Sequence, residues 1–265
     1  MRRILTLALL VIMLFASADA FAWGQKGHDI VAYIAEQHLT KKAKKNLNKI
    51  LDGKSLVCYS NWLDNVQNSP YWQNGYDRTK TWHYYNIDKG FTLATMEREP
   101  KGDALSALDM LVDSLSHYDS ELTDSVRRDY VCMLIHIVGD IHCPMHVGRK
   151  TDKGGNGVKI KWFKAASNLH TVWDSKLVDG LHAWSYTEWQ QNIDHCNKSE
   201  IAKLSAGEPK DWLVETWTTT KAVYDYAEKG EDFSYQYIYD NKDIVEHQLL
   251  VAGYRLAALL NKIYG

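Results

Sequence analysis

The feature that most constrains the fold is a predicted helix carrying two titratable side chains on one face of an apolar stretch. The helix is predicted to begin at Asp124, and its interior is apolar from Tyr130 to Ile141. His136 and Asp140 are four residues apart within it, so both side chains project from the same face. Because burying such groups without partners is costly, the rest of the chain must supply partners around this helix.

A second pair with the same spacing lies downstream. Pro144 disfavours helical backbone at Cys143, so the helix is predicted to end there and His146 can turn toward a different centre. His170 and Asp174 are again four residues apart. Either pair alone also fits a core histidine bound to its aspartate. Together, the two pairs favour a functional site.

Three more candidates lie outside these pairs. Asp64 and His83 stand among tryptophans and tyrosines, and His28 lies five residues after Trp23. A histidine in an aromatic segment is commonly a core residue, so these candidates depend on the two pairs for support. Neutral imidazole and carboxylate are ligands that suit zinc. Three carboxylates and five imidazoles are more than one ion uses, which predicts several zinc ions.

Apolar residues recur at helical spacing through most of the chain, and prolines are few. The sequence therefore predicts an all-α protein with almost no strands and one domain over residues 23–265. Predicted helices begin after Thr40, near Ala104 and at Asp243, while residues 146–161 are rich in glycine and predict an ordered loop. The pattern between residues 178 and 240 is mixed and favours no single element.

Residues 1–22 have the form of a cleavable secretory signal. Arg2 and Arg3 precede an apolar run from Ile4 to Phe15, and the segment ends in Ala20-Phe21-Ala22. The alternative is an N-terminal membrane anchor, although the run is shorter than the roughly 20 residues that a span needs. We therefore expect an exported protein, periplasmic or secreted, that begins at Trp23 and has no membrane-inserted part.

Export permits disulfides, and four cysteines allow three pairings. Cys132 and Cys143 lie 11 residues apart on one predicted helix, roughly 16 Å along its axis, which exceeds disulfide reach. Two bridges would thus require Cys58 and Cys196 each to pair with one of them. Buried free thiols are the alternative.

The motifs resemble those of the S1/P1 nuclease family, zinc-dependent enzymes that degrade single-stranded nucleic acids and share the phospholipase C fold. The resemblance covers essentially the whole chain after the signal. It rests on WGQKGH, WLD, WHYYN, HIVGDIHCPMHVG, GGN, NLHTVWD and QLLVAGYRLAALLN. It implies a mainly helical domain with three zinc ions at the base of a cleft.

The resemblance also implies which residues bind each zinc ion. One ion would take Asp64, His83, His136 and Asp140. A second would take the amine and carbonyl of Trp23, His28 and Asp140, so that Asp140 bridges two ions. The third would take His146, His170 and Asp174. His142 would support these ligands rather than bind metal.

The implied activity is hydrolysis of single-stranded DNA or RNA to 5′-nucleotides by a metal-bound hydroxide that attacks phosphorus, with 3′-nucleotidase activity as an addition. Asp140 would be central to it, and Asp88 resembles an acid that orients the attacking water. Asp88 also fits a surface turn before Lys89-Gly90. The formal charge of −2 excludes a protein that holds nucleic acid by bulk positive charge, so the zinc centre would have to attract the phosphodiester.

Two other functions fit the same residues. A zinc phospholipase C would use the same metals on a lipid phosphodiester, and a zinc-binding protein without catalysis would use the same ligands. For the nuclease we expect a single-stranded nucleic acid or nucleotide as the substrate, no obligate protein partner, and a monomer.

Overall fold

A computed structural model describes residues 23–67, 69–72 and 78–265 of the chain. The predicted signal peptide, residues 1–22, lies outside the described residues. Within the described part, the protein is mainly helical with one small sheet, which confirms the predicted fold class. None of the helices in these ranges combines the length and the apolar character that crossing a bilayer requires.

Eleven α-helices carry the fold. They are α1 (Gln25–Gln37), α2 (Lys41–Ile50), α3 (Trp62–Val66), α4 (Ala104–His117), α5 (Asp124–Asp140), α6 (Leu169–Thr171), α7 (Leu177–Leu181), α8 (Tyr186–Ile193), α9 (Lys198–Leu204), α10 (Pro209–Ala227) and α11 (Tyr235–Tyr264), all within the described ranges. Short 3₁₀ turns cover Leu56–Tyr59, Pro70–Trp72, Asp119–Glu121, Pro144–Val147 and Lys150–Asp152, and a π-helical turn covers Val172–Lys176.

Helix starts follow the capping residues of the sequence. The Thr40 side chain accepts a hydrogen bond from the Ala43 amide at the start of α2, and Thr123 caps α5 in the same way. Asp103 and Ser106 form a reciprocal capping box at the start of α4. These side chains satisfy amide groups that a helix end leaves without partners. The predicted starts of α2, α4 and α5 are thereby confirmed.

Helix α5 lies at the centre of the molecule. From Val131 to Asp140 every residue of α5 is buried, and the helix contacts α1, α3, α4 and α11. Gly139 permits the close approach of α1, since a Cβ atom there would lie 2.8 Å from Nδ1 of His28. The buried C-terminal end of α5 thus meets α1 at the residues predicted to bind metal.

The three-stranded sheet consists of β1 (Lys159–Trp162), β2 (Ala165–Asn168) and β3 (Asp232–Phe233), and its strand order is β2–β1–β3. Strands β1 and β2 are antiparallel, and their tight turn uses Phe163 and Lys164 at positive φ. Strand β3 pairs with β1 in parallel. The prediction of a loop over residues 146–161 is wrong at its ends, which form a 3₁₀ turn and most of β1. The hairpin runs directly into α6 and so positions His170.

All four cysteines are free, as in the second alternative considered above. Cys132 and Cys143 are buried, Cys196 is half-buried and Cys58 is exposed. Burial raises the pKa of the Cys143 thiol well above its usual range, which favours the neutral thiol.

Candidate metal centre

The predicted ligands come from separate parts of the chain and converge on one region. They are His28 on α1, Asp64 on α3, His83 between α3 and α4, His136 and Asp140 on α5, His146 in the turn Pro144–Val147, His170 on α6, and Asp174 in the π-helical turn. All are buried except His83, which is half-buried. The α5 spacing and the turn at Pro144 therefore direct their side chains as the sequence predicted.

Asp140 stands at the centre of the first part of this site. Its Oδ1 atom lies 3.2 Å from Nε2 of His28. Its Oδ2 atom lies 3.0 Å from Nδ1 of His83 and 3.4 Å from Nε2 of His136. The rings of His28 and His136 stack with centroids 4.0 Å apart. One carboxylate thus faces three imidazoles, with one oxygen toward His28 and the other toward His83 and His136.

Asp64 faces the same imidazoles from the side of α3. Its Oδ1 atom lies 3.5 Å from Nε2 of His136 and 3.7 Å from Nδ1 of His83. Two sets of potential ligand atoms result, each lying within 4.8 Å of one another: His28, His136 and Asp140, and Asp64, His83 and His136. The two sets share His136, so they lie next to one another.

A further set lies at the start of the 144–147 turn. Nε2 of His146 lies 3.7 Å from Oδ1 of Asp174, and the rings of His146 and His170 lie 5.1 Å apart. Cys143 joins His146 and Asp174 within 4.8 Å, which the sequence reasoning missed. Its place just before Pro144 in the motif was the available signal. A thiol kept neutral by burial is a weaker ligand than thiolate.

Backbone carbonyls fix the orientation of three imidazoles. Nδ1 of His136, His146 and His170 donates to the carbonyl oxygens of Ser60, His83 and Gly154, at 2.8, 2.5 and 2.6 Å respectively. A carbonyl oxygen only accepts, so the ring proton lies on Nδ1 in the neutral form of each imidazole. Nε2 of each ring is then available as a ligand, in the arrangement that metal-binding histidines commonly show.

Four buried atoms of the site have no hydrogen-bond partner among the described residues. They are Nε2 of His28, Nε2 of His146, Oδ1 of Asp140 and Oδ1 of Asp174. His28 and Asp140 attract one another at 3.2 Å, but the two atoms are not aligned for a hydrogen bond. Leaving a buried polar atom unsatisfied costs about 1–3 kcal/mol. Buried imidazole nitrogen and carboxylate oxygen atoms that face one another without hydrogen bonds fit a zinc site.

The titratable groups of the site have pKa values displaced in opposite directions. Burial lowers the pKa of His28 to about 4, and burial raises the pKa of Asp174 to about 8. Burial also disfavours charged His136, yet Asp140 and Asp64 raise its pKa to about 9. In turn, the surrounding imidazoles, His136 foremost, hold the pKa of Asp140 well below its usual range against the effect of burial. Such divergence is typical of functional sites.

A cleft opens above these residues. Asp64, His83, His146 and His170 lie on its surface. Lys80, Lys150 and Lys153 bring positive charge to it, and the Lys150 ammonium lies 3.4 Å from a carboxylate oxygen of Glu99, which also lines the cleft. Two further lining residues, Tyr84 and Asn86, were not predicted, although they lie one and three residues after His83 in the WHYYN motif. Oδ1 of Asn86 is buried without a hydrogen-bond partner among the described residues, so this amide presents an unused acceptor.

The glycine loop borders the cleft in a conformation that requires glycine. Gly154 has φ 63°, and a Cβ atom there would lie 2.6 Å from the Met145 carbonyl oxygen. Asp152 accepts hydrogen bonds from the Gly155 amide at 2.6 Å and from the Tyr224 hydroxyl at 2.8 Å. The loop thus holds the Gly154 carbonyl that orients His170.

Asp88 is not among the residues that line the cleft. Its Oδ1 atom accepts hydrogen bonds from the Thr151 amide at 3.0 Å and the Thr151 hydroxyl at 2.9 Å. These contacts tie the segment after His83 to the turn at Lys150–Asp152.

Trp23 is fully buried immediately before α1. The amide of the next residue, Gly24, donates to the carbonyl oxygen of Asp174 at 2.5 Å. This contact brings the predicted mature N-terminus next to the backbone of one predicted ligand, and α1 carries His28 from there to Asp140.

Comparisons with known proteins identify the family of this chain. The sequence model of the family described as S1/P1 Nuclease matches residues 23–265. Endonuclease 2 of Arabidopsis thaliana is 27% identical, over 96% of this chain and 94% of that protein. Nuclease P1 of Penicillium citrinum is 27% identical, over 92% and 98% respectively, and Nuclease S1 of Aspergillus oryzae is 23% identical over 92% of each. From the match over every residue after position 22, this chain belongs to the S1/P1 nuclease family and is an endonuclease, a hydrolase of phosphodiester bonds.

Proposed function

We propose that this endonuclease is an exported zinc enzyme that hydrolyses single-stranded DNA and RNA to 5′-nucleotides, and that it also acts on 3′-nucleotides. The observation that carries the proposal is the set of four buried atoms on His28, Asp140, His146 and Asp174 that lack hydrogen-bond partners among the described residues, next to a cleft that His146 lines. In a stable fold, atoms left in this state call for a ligand.

Three zinc ions would be held by the nine predicted ligands. The first would take Asp64, His83, His136 and Asp140, the second Trp23, His28 and Asp140, and the third His146, His170 and Asp174. The distances around Asp140 and Asp64 support the shared arrangement of the first two. The assignment of Trp23 requires removal of residues 1–22, because only the first residue of a chain has a free α-amine. The mature domain would then span residues 23–265.

Bound zinc would supply Lewis-acid chemistry, lowering the pKa of water toward ~7 and neutralising phosphate oxygens. The chain itself contributes orientation. The carbonyls of Ser60, His83 and Gly154 hold three imidazoles with Nε2 toward the centre. The cleft lysines attract the phosphate backbone of a strand that enters.

The depth of the site accounts for the preference for single strands. Four of the predicted ligands, Asp64, His83, His146 and His170, line the cleft, where a flexible strand can bend to present one phosphate. Duplex DNA is stiff over roughly 150 bp and resists such bending. Splayed bases gain stacking energy on aromatic side chains, and Tyr84 lies on the cleft wall for this purpose.

Asp88 is assigned to orient the attacking water through the family resemblance. Its contacts with Thr151 give it a second possible role, which is to anchor the turn at Lys150–Asp152. Asp88→Asn separates the two: loss of turnover with unchanged melting temperature supports the catalytic role, and a lower melting temperature with retained turnover supports the anchoring role.

The decisive experiment compares substrates for the zinc-loaded protein that begins at Trp23. Single-stranded DNA, single-stranded RNA, a duplex of the same sequence, 3′-nucleotides and phosphatidylcholine are each tested with and without chelator. We expect chelator-sensitive release of 5′-nucleotides from the single strands, faster than from the duplex. Hydrolysis of phosphatidylcholine alone would favour the phospholipase, and no turnover with three zinc ions bound would favour a zinc-binding protein.

A further inference from the structure

A second concave surface lies behind one wall of the cleft. We call it the Phe91 groove and define it by Lys89, Phe91, Arg149, Trp217, Lys221 and Tyr224. Its floor is formed by buried Tyr224, and its rim is exposed at Lys89, Lys221 and Phe91, whose side chain is 45% exposed. None of these residues is a predicted ligand of the metal centre.

The groove and the cleft share the two segments that separate them. Asn86 and Lys150 line the cleft, whereas their neighbours Ile87 and Arg149 line the groove. The two segments are joined by a hydrogen bond of 2.7 Å from the Ile87 amide to the carbonyl of Gly148. Because adjacent residues face opposite sides, a strand leaving the cleft has only this pair of segments to cross before it reaches the groove.

The rim of the groove carries positive charge. The ammonium groups of Lys89 and Lys221 form no ion pair with any described residue, while Arg149 pairs with Glu228 at 3.0 Å. Asp225 is the one acidic residue that lines the groove among the described residues. In a chain with a formal charge of −2, a local excess of cations is not the general character of the surface.

Aromatic rings lie between these cations. The Lys221 ammonium stands 3.4 Å from the centroid of the Trp217 ring, and the Arg149 guanidinium stands 4.0 Å from that of Tyr224. The exposed ring of Phe91 has neither a cation nor another described aromatic ring against it. Cations that track a phosphate backbone, beside a ring on which a base can stack, are what proteins use to hold single strands.

We propose that the Phe91 groove binds nucleotides of the single-stranded substrate that extend beyond the phosphodiester being hydrolysed. Lys89 and Lys221 bind phosphates, and Phe91 stacks with a base. The proposal rests on the proposed function, because it requires a single-stranded substrate in the neighbouring cleft. The positive charge on the rim of the groove complements a phosphate backbone, and the groove adjoins the cleft. Both observations favour a single-stranded nucleic acid as the molecule that the groove binds.

The test compares substrates of two lengths. The variant Lys89→Gln/Lys221→Gln is assayed on a dinucleotide, which fits within the cleft, and on a 12-nucleotide single strand. We expect the ratio of kcat/KM for the 12-mer to that for the dinucleotide to fall at least fivefold. The slope of log Kd against log salt for the 12-mer should decrease by about 1.4, from the roughly 0.7 per phosphate lost on a single strand.

The matched control removes the same charge elsewhere. Lys41→Gln/Lys45→Gln changes two exposed lysines on α2, which do not line either surface. This control should leave the length ratio and the salt slope as in the parent protein. Equal loss in both double variants would show that only net charge matters and would overturn the groove.

Phe91 is tested separately because its exposed ring is not needed for the core. Phe91→Ala should weaken binding of the 12-mer about fivefold or more, and Phe91→Tyr should retain binding, since stacking is worth ~1–3 kcal/mol per base. Unchanged affinity in Phe91→Ala and in the lysine variant would overturn the proposal.

Binding is measured by fluorescence anisotropy with a phosphorothioate 12-mer that resists hydrolysis. This readout separates the two proposals. If the parent protein cleaves no single strand but the groove variants bind the 12-mer more weakly than the parent, the proposed function fails, and the groove binds single strands that are not its substrate. If the parent cleaves and the variants match it at both lengths, the groove fails and the function stands.

Discussion

Two kinds of buried histidine occur within the same stretch of chain. His142 has both ring nitrogens satisfied: Nδ1 donates to the Val138 carbonyl at 2.7 Å, and Nε2 accepts from the Arg255 guanidinium at 3.0 Å. His136 and His146 also donate from Nδ1 to a carbonyl, but their Nε2 atoms face carboxylates. All three rings are buried. What separates a predicted ligand from a core residue here is therefore the partner of its second nitrogen, not its burial.

The electrostatic environments of the two kinds differ accordingly. Burial and the Arg255 charge lower the pKa of His142 to about 3, so that this ring is neutral. His136 is buried equally, but Asp140 and Asp64 raise its pKa to about 9. A further positive charge is therefore disfavoured at His142, which already faces the Arg255 guanidinium, and favoured at His136, where metal would replace the proton.

The largest effect should come from Asp140, the carboxylate shared by the imidazoles. In Asp140→Asn one anion is lost and one oxygen is replaced by an amide nitrogen that cannot bind metal. Turnover should fall by more than the roughly 10–100-fold typical of residues that only support metal ligands. Elemental analysis and circular dichroism should show fewer zinc ions per chain and retained helix. Full activity with three zinc ions bound would remove Asp140 from the bridging position.

The second largest effect should come from the α-amine of Trp23, a main-chain nitrogen. A terminal amine at Trp23 can bind metal together with its own carbonyl, whereas a peptide nitrogen has no available lone pair. Extending the mature chain by one Met should lose one zinc ion and most of the turnover. The comparison is between protein starting at Trp23 and protein starting at Met-Trp23. Equal zinc content and equal turnover would contradict the role of Trp23.

The contrast between the two kinds of histidine is tested by the same substitution at two positions. His146→Gln should lower zinc content and activity. His142→Gln should keep three zinc ions but lower the free energy of unfolding by about 1–3 kcal/mol, because one amide group cannot replace both the Nδ1 donor to Val138 and the Nε2 acceptor from Arg255. Elemental analysis and urea denaturation measure both. Loss of zinc in both variants would mean that His142 also serves the metal centre.

The smallest effect should come from His38 and Asp194, a His–Asp pair whose side chains are hydrogen-bonded directly to one another. Asp194 accepts hydrogen bonds from His38 at 2.8 Å and Tyr254 at 2.6 Å, and with Gln190 these lower its pKa to about 2 against the effect of burial. A carboxyl with a lowered pKa stabilises the folded state above its ordinary value near 3.8, and this stability is lost as the pH falls toward 2.

Asp194→Asn should therefore lower the free energy of unfolding by about 2 kcal/mol at neutral pH. The difference from the parent protein should shrink as the pH falls below about 4. Urea denaturation at pH 7, 5 and 3.5 measures it, with zinc content as the control at each pH. A difference that is independent of pH would mean that the ionised carboxylate is not what stabilises this pair.

The sequence was most informative where the spacing of residues determines their direction. The pair His136 and Asp140, and the turn imposed by Pro144, predicted which side chains meet because helix geometry is local. Cys143 and Asn86 were missed, since their positions depend on how the 144–147 turn packs against the segment after His83. Helices α8 to α10 were missed because their sequence pattern is mixed, and the structure shows that their starts depend on caps such as Ser185 and Asn197.

The dispersion of the ligands along the chain also has a consequence for synthesis. His28 and Asp174 are separated by more than half of the chain. The close contact between α1 and α5 at Gly139 forms only when both helices have packed against one another. A nascent or unfolded chain therefore has no assembled centre. The candidate centre is assembled only when folding is complete, so the compartment in which the chain folds is also the compartment in which the centre first forms.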